Sequence, residues 1–533
     1  MLNTVSNSNV TLDSKRQMLA WRWSAFWIAL AFAVRTLIAL LVPLLPDETY
    51  YWDWSRHLQA GYFDHPPGVA LLIRAGTAIF GNTALGVRAG PAFVALVMHI
   101  SLVLLASRIG TLRDGTRAAV LVALLPLATL GLVLATPDAL LLASASAALL
   151  CLERALRAPV RSMTSLCWWL LAGAALGVAF LAKYTAVLLP ASLLAACAVY
   201  APLRARLAEP GPWFASAIAM GCFGPVVLWN RSADWISFRF QLNHGLGTAV
   251  RGTPLARELD MIGGQLGLAT PIIAVLLIAA VVLTLLHEWK RRRTVAPDSV
   301  QAVRFAFATI SLVIVLFFSF SAWRRPVEAN WPALAYPAAI IVLATTTQAF
   351  ARARWWNAGT WMATFVLLLA LLQIARPVLP LVPKKDPIGR AYGWDTLAEA
   401  VQSARYDPFL AATGKRWVAA ERYQDASELA FHLPDQPQTF SLNLNSRANQ
   451  YDLWATPASL IGPDDALVVV FDATPQGDAS AAIVGTWFAE SLRGQTVLLQ
   501  RQAGIVGERR IWMFKYARNI PHLKTELQSV LRR

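Results

Sequence analysis

Eleven apolar runs recur along residues 1–376, centred near Ala33, Leu96, Leu125, Leu142, Ala175, Leu194, Ile218, Leu276, Val313, Ile340 and Leu368. Each is close to the roughly 17–25 residues a helix needs to cross a bilayer. A chain built this way cannot bury its apolar surface as one soluble globule. Its composition agrees: 56% of residues are hydrophobic and only 15% charged, against about 25% charged in soluble domains, and mean hydropathy is +0.48. The pattern predicts a polytopic α-helical membrane protein. The first run, near 24–45, follows Lys15, Arg16 and Arg22 and is too long for the apolar region of a cleaved signal peptide, so it reads as a retained first span.

The net charge of +16 is not spread evenly, because residues 1–376 hold 30 Lys+Arg against 15 Asp+Glu and residues 377–533 hold 17 against 16. The excess lies in short clusters between the apolar runs, not on one solvated face, which argues against a nucleic-acid partner. The clusters occupy alternate connections: the N-terminal tail, Arg108/Arg113/Arg117, Arg154/Arg157/Arg161, Arg204/Arg206, residues 290–293 and Arg352/Arg354. With Arg304 they hold 18 basic residues against 6 acids. Basic residues in short loops stay on the cytoplasmic side. The amino terminus is therefore expected inside and, with eleven spans, the carboxyl terminus outside. The other connections, 46–83, 136–138, 183–185, 230–260 and 321–331, are richer in aromatics and carboxylates and are expected outside.

After residue 376 the composition becomes that of a soluble domain, with turn signals at Pro434-Asp435 and Pro475-Gln476-Gly477. The runs ALVVVFD (466–472), TVLLQRQ and RIWMFKYA read as strands. The expected domains are thus 1–376, a membrane part whose outer loop 46–83 carries an acidic motif, and 377–533, a small α/β domain on the outer face. Cys151, Cys167, Cys197 and Cys222 lie in or beside apolar runs without ligand spacing and read as buried small hydrophobes.

The candidate chemistry begins with LPDETYYWDW (45–54), where Asp47 and Glu48 appear as the first span ends. Carboxylates at that depth are costly without a task or a partner. Solvated interfacial acids in an aromatic belt are the structural alternative. GYFDHPPG (61–68) places Tyr62, Asp64 and His65 before a Pro-Pro turn. Asp64 and His65 suit acid–base work, phosphate contact or a metal, and Asp64 equally suits capping of the next helix. Glu48 extends that pair to a candidate divalent-cation site, although no established metal spacing is present. Lys183, Arg324 and Arg325 stand at expected outer helix ends, where they fit phosphate recognition, or snorkelling and loop pairing instead. Asp138 reads as an N-cap or a substrate contact. Arg35, inside the first span, is expected to face the protein interior and to pair with an acid such as Asp138 or touch a lipid phosphate.

Taken in order, the acidic pair, YFDHPP, TPD (136–138), FLAKYTAVLLP (180–190), RRPVEANWPALAYP (324–337), ERYQDASELAFHLPDQP (421–437) and SLNLNSRANQYDLW (441–454) resemble the bacterial branch of the dolichyl-phosphate-mannose protein mannosyltransferase superfamily, including the aminoarabinose transferases of lipid A. The resemblance spans most of the chain. It implies a GT-C glycosyltransferase that moves a sugar from a polyprenyl (undecaprenyl) phosphate carrier to an acceptor such as lipid A or another envelope glycan, at the periplasmic face of a bacterial inner membrane. It makes Asp47 the catalytic carboxylate by position and Glu48 a residue that positions the acceptor or orients the loop, while the residue types make Tyr62, Asp64, His65, Asp138, Lys183, Arg324 and Arg325 the candidate substrate- and phosphate-binding set. Where aminoarabinose transferases show Glu-Lys-Pro, this chain has Asp64-His65-Pro66. No cofactor is required by the chemistry, since a phosphate leaving group needs cations more than a strong acid. A flippase of a lipid-linked saccharide and a protein O-glycosyltransferase are the alternatives. Neither the repeats nor the broken helices common in transporters are expected here.

Overall fold

The computed structural model describes residues 3–247, 252–291, 298–346, 353–444, 447–502 and 504–521. Arg251, Arg292, Arg293 and Arg352 of the expected loop and basic clusters lie outside the described residues, as do Asn445 and Ser446. Contacts divide the chain into two compact units. One comprises Met1–Leu40, His65–Gly76 and Arg88–Leu372, and the other Leu41–Asp64, Thr77–Val87 and Gln373–Arg533, over their described residues. The second unit thus takes in parts of the 46–83 connection, which the composition change at 376 assigns to the membrane part.

Eight helices among the described residues are long and apolar enough to cross a membrane: Lys15–Leu41, Ala84–Ile109, Pro137–Arg157, Met163–Ala182, Pro210–Ser232, Pro271–Arg291, Ser299–Arg324 and Arg354–Ala375. The chain is a multi-pass membrane protein. The count differs from eleven for local reasons. The runs centred on Leu194 and Ile340 form the shorter apolar helices Tyr184–Val199 and Trp331–Thr345, each opening on a 3-10 turn. The run centred on Leu125 is broken into Leu112–Leu124 and Pro126–Val133 with a 71° bend, so a broken helix is present after all. Pro126 has no N–H to continue the ladder and drives Leu125 out of the helical region, to φ −68° and ψ 125°. Carbonyls at the break need other donors inside an apolar unit. Thr129 Oγ1 donates to Ala123 O at 2.7 Å and Arg35 Nε donates to Ala128 O at 3.0 Å. Arg35 therefore serves the break and does not pair with Asp138.

In a lipid solvent helices associate through close packing more than through apolar transfer. Helix Met163–Ala182 meets Pro210–Ser232 at Gly173 and Gly177, where an added Cβ would collide with the Ala215 backbone and Cys222. Gly68 of GYFDHPPG is needed for a similar reason, since its Cβ would lie 2.5 Å from Leu181 O. All four cysteines are free; Cys197 is buried, but Cys167 is exposed on its apolar helix and Cys151 and Cys222 are half-buried, so burial holds fully for one of the four.

The second unit is built on a five-stranded sheet of order β2-β1-β3-β5-β4, with β1 Arg416–Ala420, β2 Thr439–Ser441, β3 Ala466–Asp472, β4 Phe488–Arg501 and β5 Gly504–Ala517. Strands β2, β1 and β3 run parallel, and β5 and β4 are antiparallel additions. ALVVVFD is apolar without alternation because β3 is paired on both sides and buried along nearly its whole length. The helix Tyr423–His432 carries the crossover between β1 and β2. Pro475-Gln476-Gly477 starts a helix, Pro475–Gly485, rather than a turn, because Thr474 caps it by accepting the Gly477 N–H.

Helix Tyr423–His432 ends on a charged knot. His432 Nδ1 lies 2.6 Å from the Asp395 carboxylate and Nε2 lies 3.2 Å from the buried Glu428 carboxylate. Against the burial that opposes its charge, the two carboxylates hold His432 up at about 9, and burial pushes Glu428 up to about 7. A histidine raised above its ordinary 6.5 stabilises the fold fully below that pH and loses the effect as pH rises toward 9, and charging the buried Glu428 above 4.5 works in the same direction. We expect thermal unfolding followed by tryptophan fluorescence to show lower stability at pH 9 than at pH 6, by about 1–2 kcal/mol after screening at the exposed Asp395. His432→Ala should flatten this dependence between pH 7 and 9.

Candidate functional site

Two buried polar clusters form, one in each unit, and both are built from segments far apart in sequence. In the second unit, helix Pro46–Arg56 begins with Pro46 at its first position and Asp47 and Glu48 in its first turn, where carboxylates meet the positive helix end. Glu48 is spent on its own helix: it is 1% exposed, and its carboxylate accepts the Leu45 N–H at 3.0 Å. Asp47 is different. It is half-buried, and among the described residues none donates a hydrogen bond to its carboxylate. Burial pushes the Asp47 carboxyl above its ordinary value, Arg390 and Arg447 pull it back, and Asp64 and Glu48 push it further up.

Beside it, Asp64 is buried and fully engaged. Its Oδ2 accepts from Tyr50 Oη at 2.9 Å and its Oδ1 from Arg447 Nη1 at 2.7 Å. Tyr50 Oη in turn accepts the Gln450 N–H at 2.7 Å, and Arg447 Nη2 donates to Tyr423 Oη at 3.1 Å while its guanidinium lies 5.2 Å from the Tyr423 ring centre. Burial raises Tyr50 and lifts Tyr423 to about 12, so both remain protonated donors at neutral pH. The aromatics of 50–54 do not form an interfacial belt. Tyr50, Trp52 and Trp54 are buried, with Tyr50 against Tyr423 at 4.5 Å, Trp52 edge-on to Phe431 at 5.0 Å and Trp54 stacked on Tyr62 at 4.3 Å. Thr49 and Ser427 hydroxyls at 3.1 Å, and Tyr451 Oη donating to Asp53 at 2.7 Å, complete the seating of this helix on residues of the sheet domain.

The first unit holds the other cluster. Asp138, 6% exposed, accepts from Lys183 Nζ at 2.8 Å and from Asn330 Nδ2 at 2.6 Å. Three of the motif segments, TPD, FLAKY and EANW, therefore converge on one carboxylate. Thr136, not Asp138, occupies the N-cap position of Pro137–Arg157, and Lys183 closes Met163–Ala182 by donating its backbone N–H to Ala179 O. Arg324 and Arg325 donate to Leu246 O and Asn243 O, the last carbonyls of helix Ile236–Leu246, and neither pairs with Glu328 among the described residues. The 230–260 connection is mostly helical, with Ile236–Leu246 followed by Pro254–Ala269.

The remaining expected residues have local tasks. Tyr62 Oη lies 3.1 Å from the carbonyls of Trp54 and His57 and accepts the Gln59 N–H, closing the turn between them. His65 is half-buried in the bend before helix Gly68–Phe80. No group of three or more His, Cys, Asp or Glu side chains suited to a metal ion occurs among the described residues, and Glu48 and Asp64 are committed to Leu45, Tyr50 and Arg447. The donor set does not fit a divalent cation. Four residues of these clusters, Arg390, Tyr423, Arg447 and Asn330, carry no signal of their own in the sequence; three of them lie in motif strings whose residue types are common, and only tertiary contact gives them a partner.

Membrane-length helices followed by a small mixed sheet, with an acidic pair opening the first short helix after the first span, make a GT-C-like fold. Residues 64–229 match the family model described as dolichyl-phosphate-mannose-protein mannosyltransferase. Two crystal structures of ArnT from Cupriavidus metallidurans share the fold: one bound to undecaprenyl phosphate, with a TM-score of 0.61 at 15% identity over 92% of this chain and 98% of that one, and one in the apo state, at 0.59, 16%, 93% and 98%. The lipid A galacturonosyltransferase RgtD of Rhizobium johnstonii is 27% identical over 325 residues, which are 60% of this chain and 64% of that protein. The resemblance to the superfamily thus holds in sequence and in fold.

Proposed function

We propose that this protein is an integral-membrane glycosyltransferase that moves a sugar from a polyprenyl-phosphate carrier to lipid A. We place the reaction at the periplasmic face of the inner membrane, with the amino terminus inside, as the alternating basic clusters suggest. Support for donor and acceptor comes from the undecaprenyl phosphate bound to the ArnT of like fold and from the acceptor named for RgtD. The single observation that carries the chemistry is Asp47, a carboxylate with no hydrogen-bond donor among the described residues, raised by burial and flanked by Arg390 and Arg447.

In this reading an acceptor hydroxyl attacks the anomeric carbon of the donor, and its proton passes to Asp47 as the new C–O bond forms. The bond from that carbon to the phosphate oxygen breaks, and its electron pair leaves with the polyprenyl phosphate. One displacement inverts the anomeric centre. A carboxylate pushed above its ordinary value is a stronger base than a solvated one. Cations, not a second acid, are what the departing phosphate requires. By residue type we propose Lys183, Arg324 and Arg325 for phosphate recognition and Tyr62, Asp64, His65 and Asp138 for substrate contact.

The broken span invites the transporter reading, but the Val122 and Ala123 carbonyls accept from Thr129 and the Ala128 carbonyl from Arg35, which gives the polar groups of the break a structural task. Mass spectrometry of lipid A from cells lacking the protein, and from cells complemented with it, tests the proposal. A fixed sugar mass lost and regained on lipid A supports it; unchanged lipid A with an altered distribution of a lipid-linked saccharide across the membrane would sink it in favour of transport.

A further inference from the structure

The carboxyl ends of the parallel strands form the part of an α/β sheet where ligands ordinarily bind, at the point where strand order reverses. Here that point lies beside β1, which has β2 on one side and β3 on the other. Tyr423 stands three residues beyond β1 and Arg447 six beyond β2. Both reach the acidic cluster beside helix Pro46–Arg56: Arg447 binds Asp64 and Tyr423, and Tyr423 packs on Tyr50. A guanidinium is suited to this because its fixed fork can serve a carboxylate and a phenol oxygen at once.

We propose that Arg447 is a positioning residue of the reaction centre, fixing Asp64 and Tyr423 and setting the charge around Asp47, so that the sheet domain supplies part of the catalytic apparatus. The inference rests on the glycosyl-transfer reading. Among the described residues, the charged and titratable groups of its own unit that act on Asp47 are Arg390 and Arg447, which favour its ionised form, Asp64 and Glu48, which oppose it, and Tyr51 and Tyr423, which interact with it as phenols. Removing Arg447 takes away one of two cations and leaves Asp64 without its ion pair.

The test uses full-length protein in membranes of the deletion strain, which supply donor and acceptor together, and compares wild type, Arg447→Gln, Arg447→Lys and Asp47→Asn across pH. For Arg447→Gln we expect at least a tenfold lower rate at neutral pH and an acid limb moved upward by about one pH unit, as loss of a neighbouring opposite charge dictates. Arg447→Lys should restore the limb but only part of the rate, because a single ammonium cannot reproduce the fork. Arg447→Gln with the wild-type profile overturns the inference while leaving transfer intact, and so does a slower rate with an unmoved limb in protein of unchanged thermal stability, which marks a merely structural role. Absence of transfer by wild type itself would instead overturn the glycosyl-transfer reading.

Discussion

Asp47→Asn is expected to lower glycosyl transfer by about three orders of magnitude, the usual range for removing a general base, with little change in donor KM. The replacement is isosteric and keeps the first turn of Pro46–Arg56 intact, since the capping acceptor there is Glu48 and not Asp47. No neighbour can take over the proton. Glu48 is buried and holds the Leu45 N–H, and both oxygens of Asp64 are occupied by Tyr50 and Arg447. Glu48→Gln provides the contrast. Its amide oxygen still accepts from Leu45, so the rate should stay within about tenfold of wild type, the cost of one altered neutral hydrogen bond. Equal losses in Asp47→Asn and Glu48→Gln would show that the pair acts through helix geometry and not through proton transfer. The wild-type pH profile offers an independent check. Its acid limb should lie above the ordinary carboxylate value of 3.8, because burial raises Asp47 more than the two arginines lower it.

The second large effect is expected at the Asp138–Lys183 pair, whose side chains are 9% and 10% exposed. Asp138→Ala leaves an ammonium buried without its counter-charge, a change that costs about 3–5 kcal/mol in comparable pairs. Lys183→Met leaves Asp138 with Asn330 as its remaining donor among the described residues and should also destabilise, though less, because one hydrogen bond survives. The double replacement Asp138→Leu/Lys183→Met removes both charges and should recover much of the loss in thermal stability. It also separates two roles. If the pair only holds TPD, FLAKY and EANW together, the double variant should keep donor affinity; if Lys183 contacts the donor phosphate, it should be folded yet show a donor KM raised about tenfold or more, as expected for a lost charge-assisted contact.

Much of this protein is written in patterns with a short physical range. Apolar runs of bilayer length and basic clusters between them suffice to announce a membrane protein, because each span must satisfy its own backbone hydrogen bonds and meet lipid along its length. The strand ALVVVFD and the loss of apolar character after residue 376 announce the sheet domain in the same local way. The acidic pair was legible as chemistry because carboxylates are expensive beside lipid, whereas the TPD and FLAKY strings stood out through the resemblance to the superfamily.

What those patterns leave open is decided by long-range packing. Hydropathy counts apolar residues but not bends, so Pro126 turned one expected span into two pieces and two other runs became short helices. Composition placed 46–64 with the membrane helices, yet its aromatic residues are buried against Tyr423, Phe431 and Tyr451 and it belongs to the compact unit of the sheet. Asp47 and Glu48 are neighbours of like charge in the sequence; only the fold separates them, by giving Glu48 the Leu45 N–H and Asp47 the fields of Arg390 and Arg447. Residues nearly four hundred positions apart cannot signal one another in a linear pattern, whereas a buried carboxylate demands a partner wherever the chain can bring one. The sequence by itself therefore determined the solvent, the class of fold and the chemical types present, and the tertiary structure chose which of those groups meet.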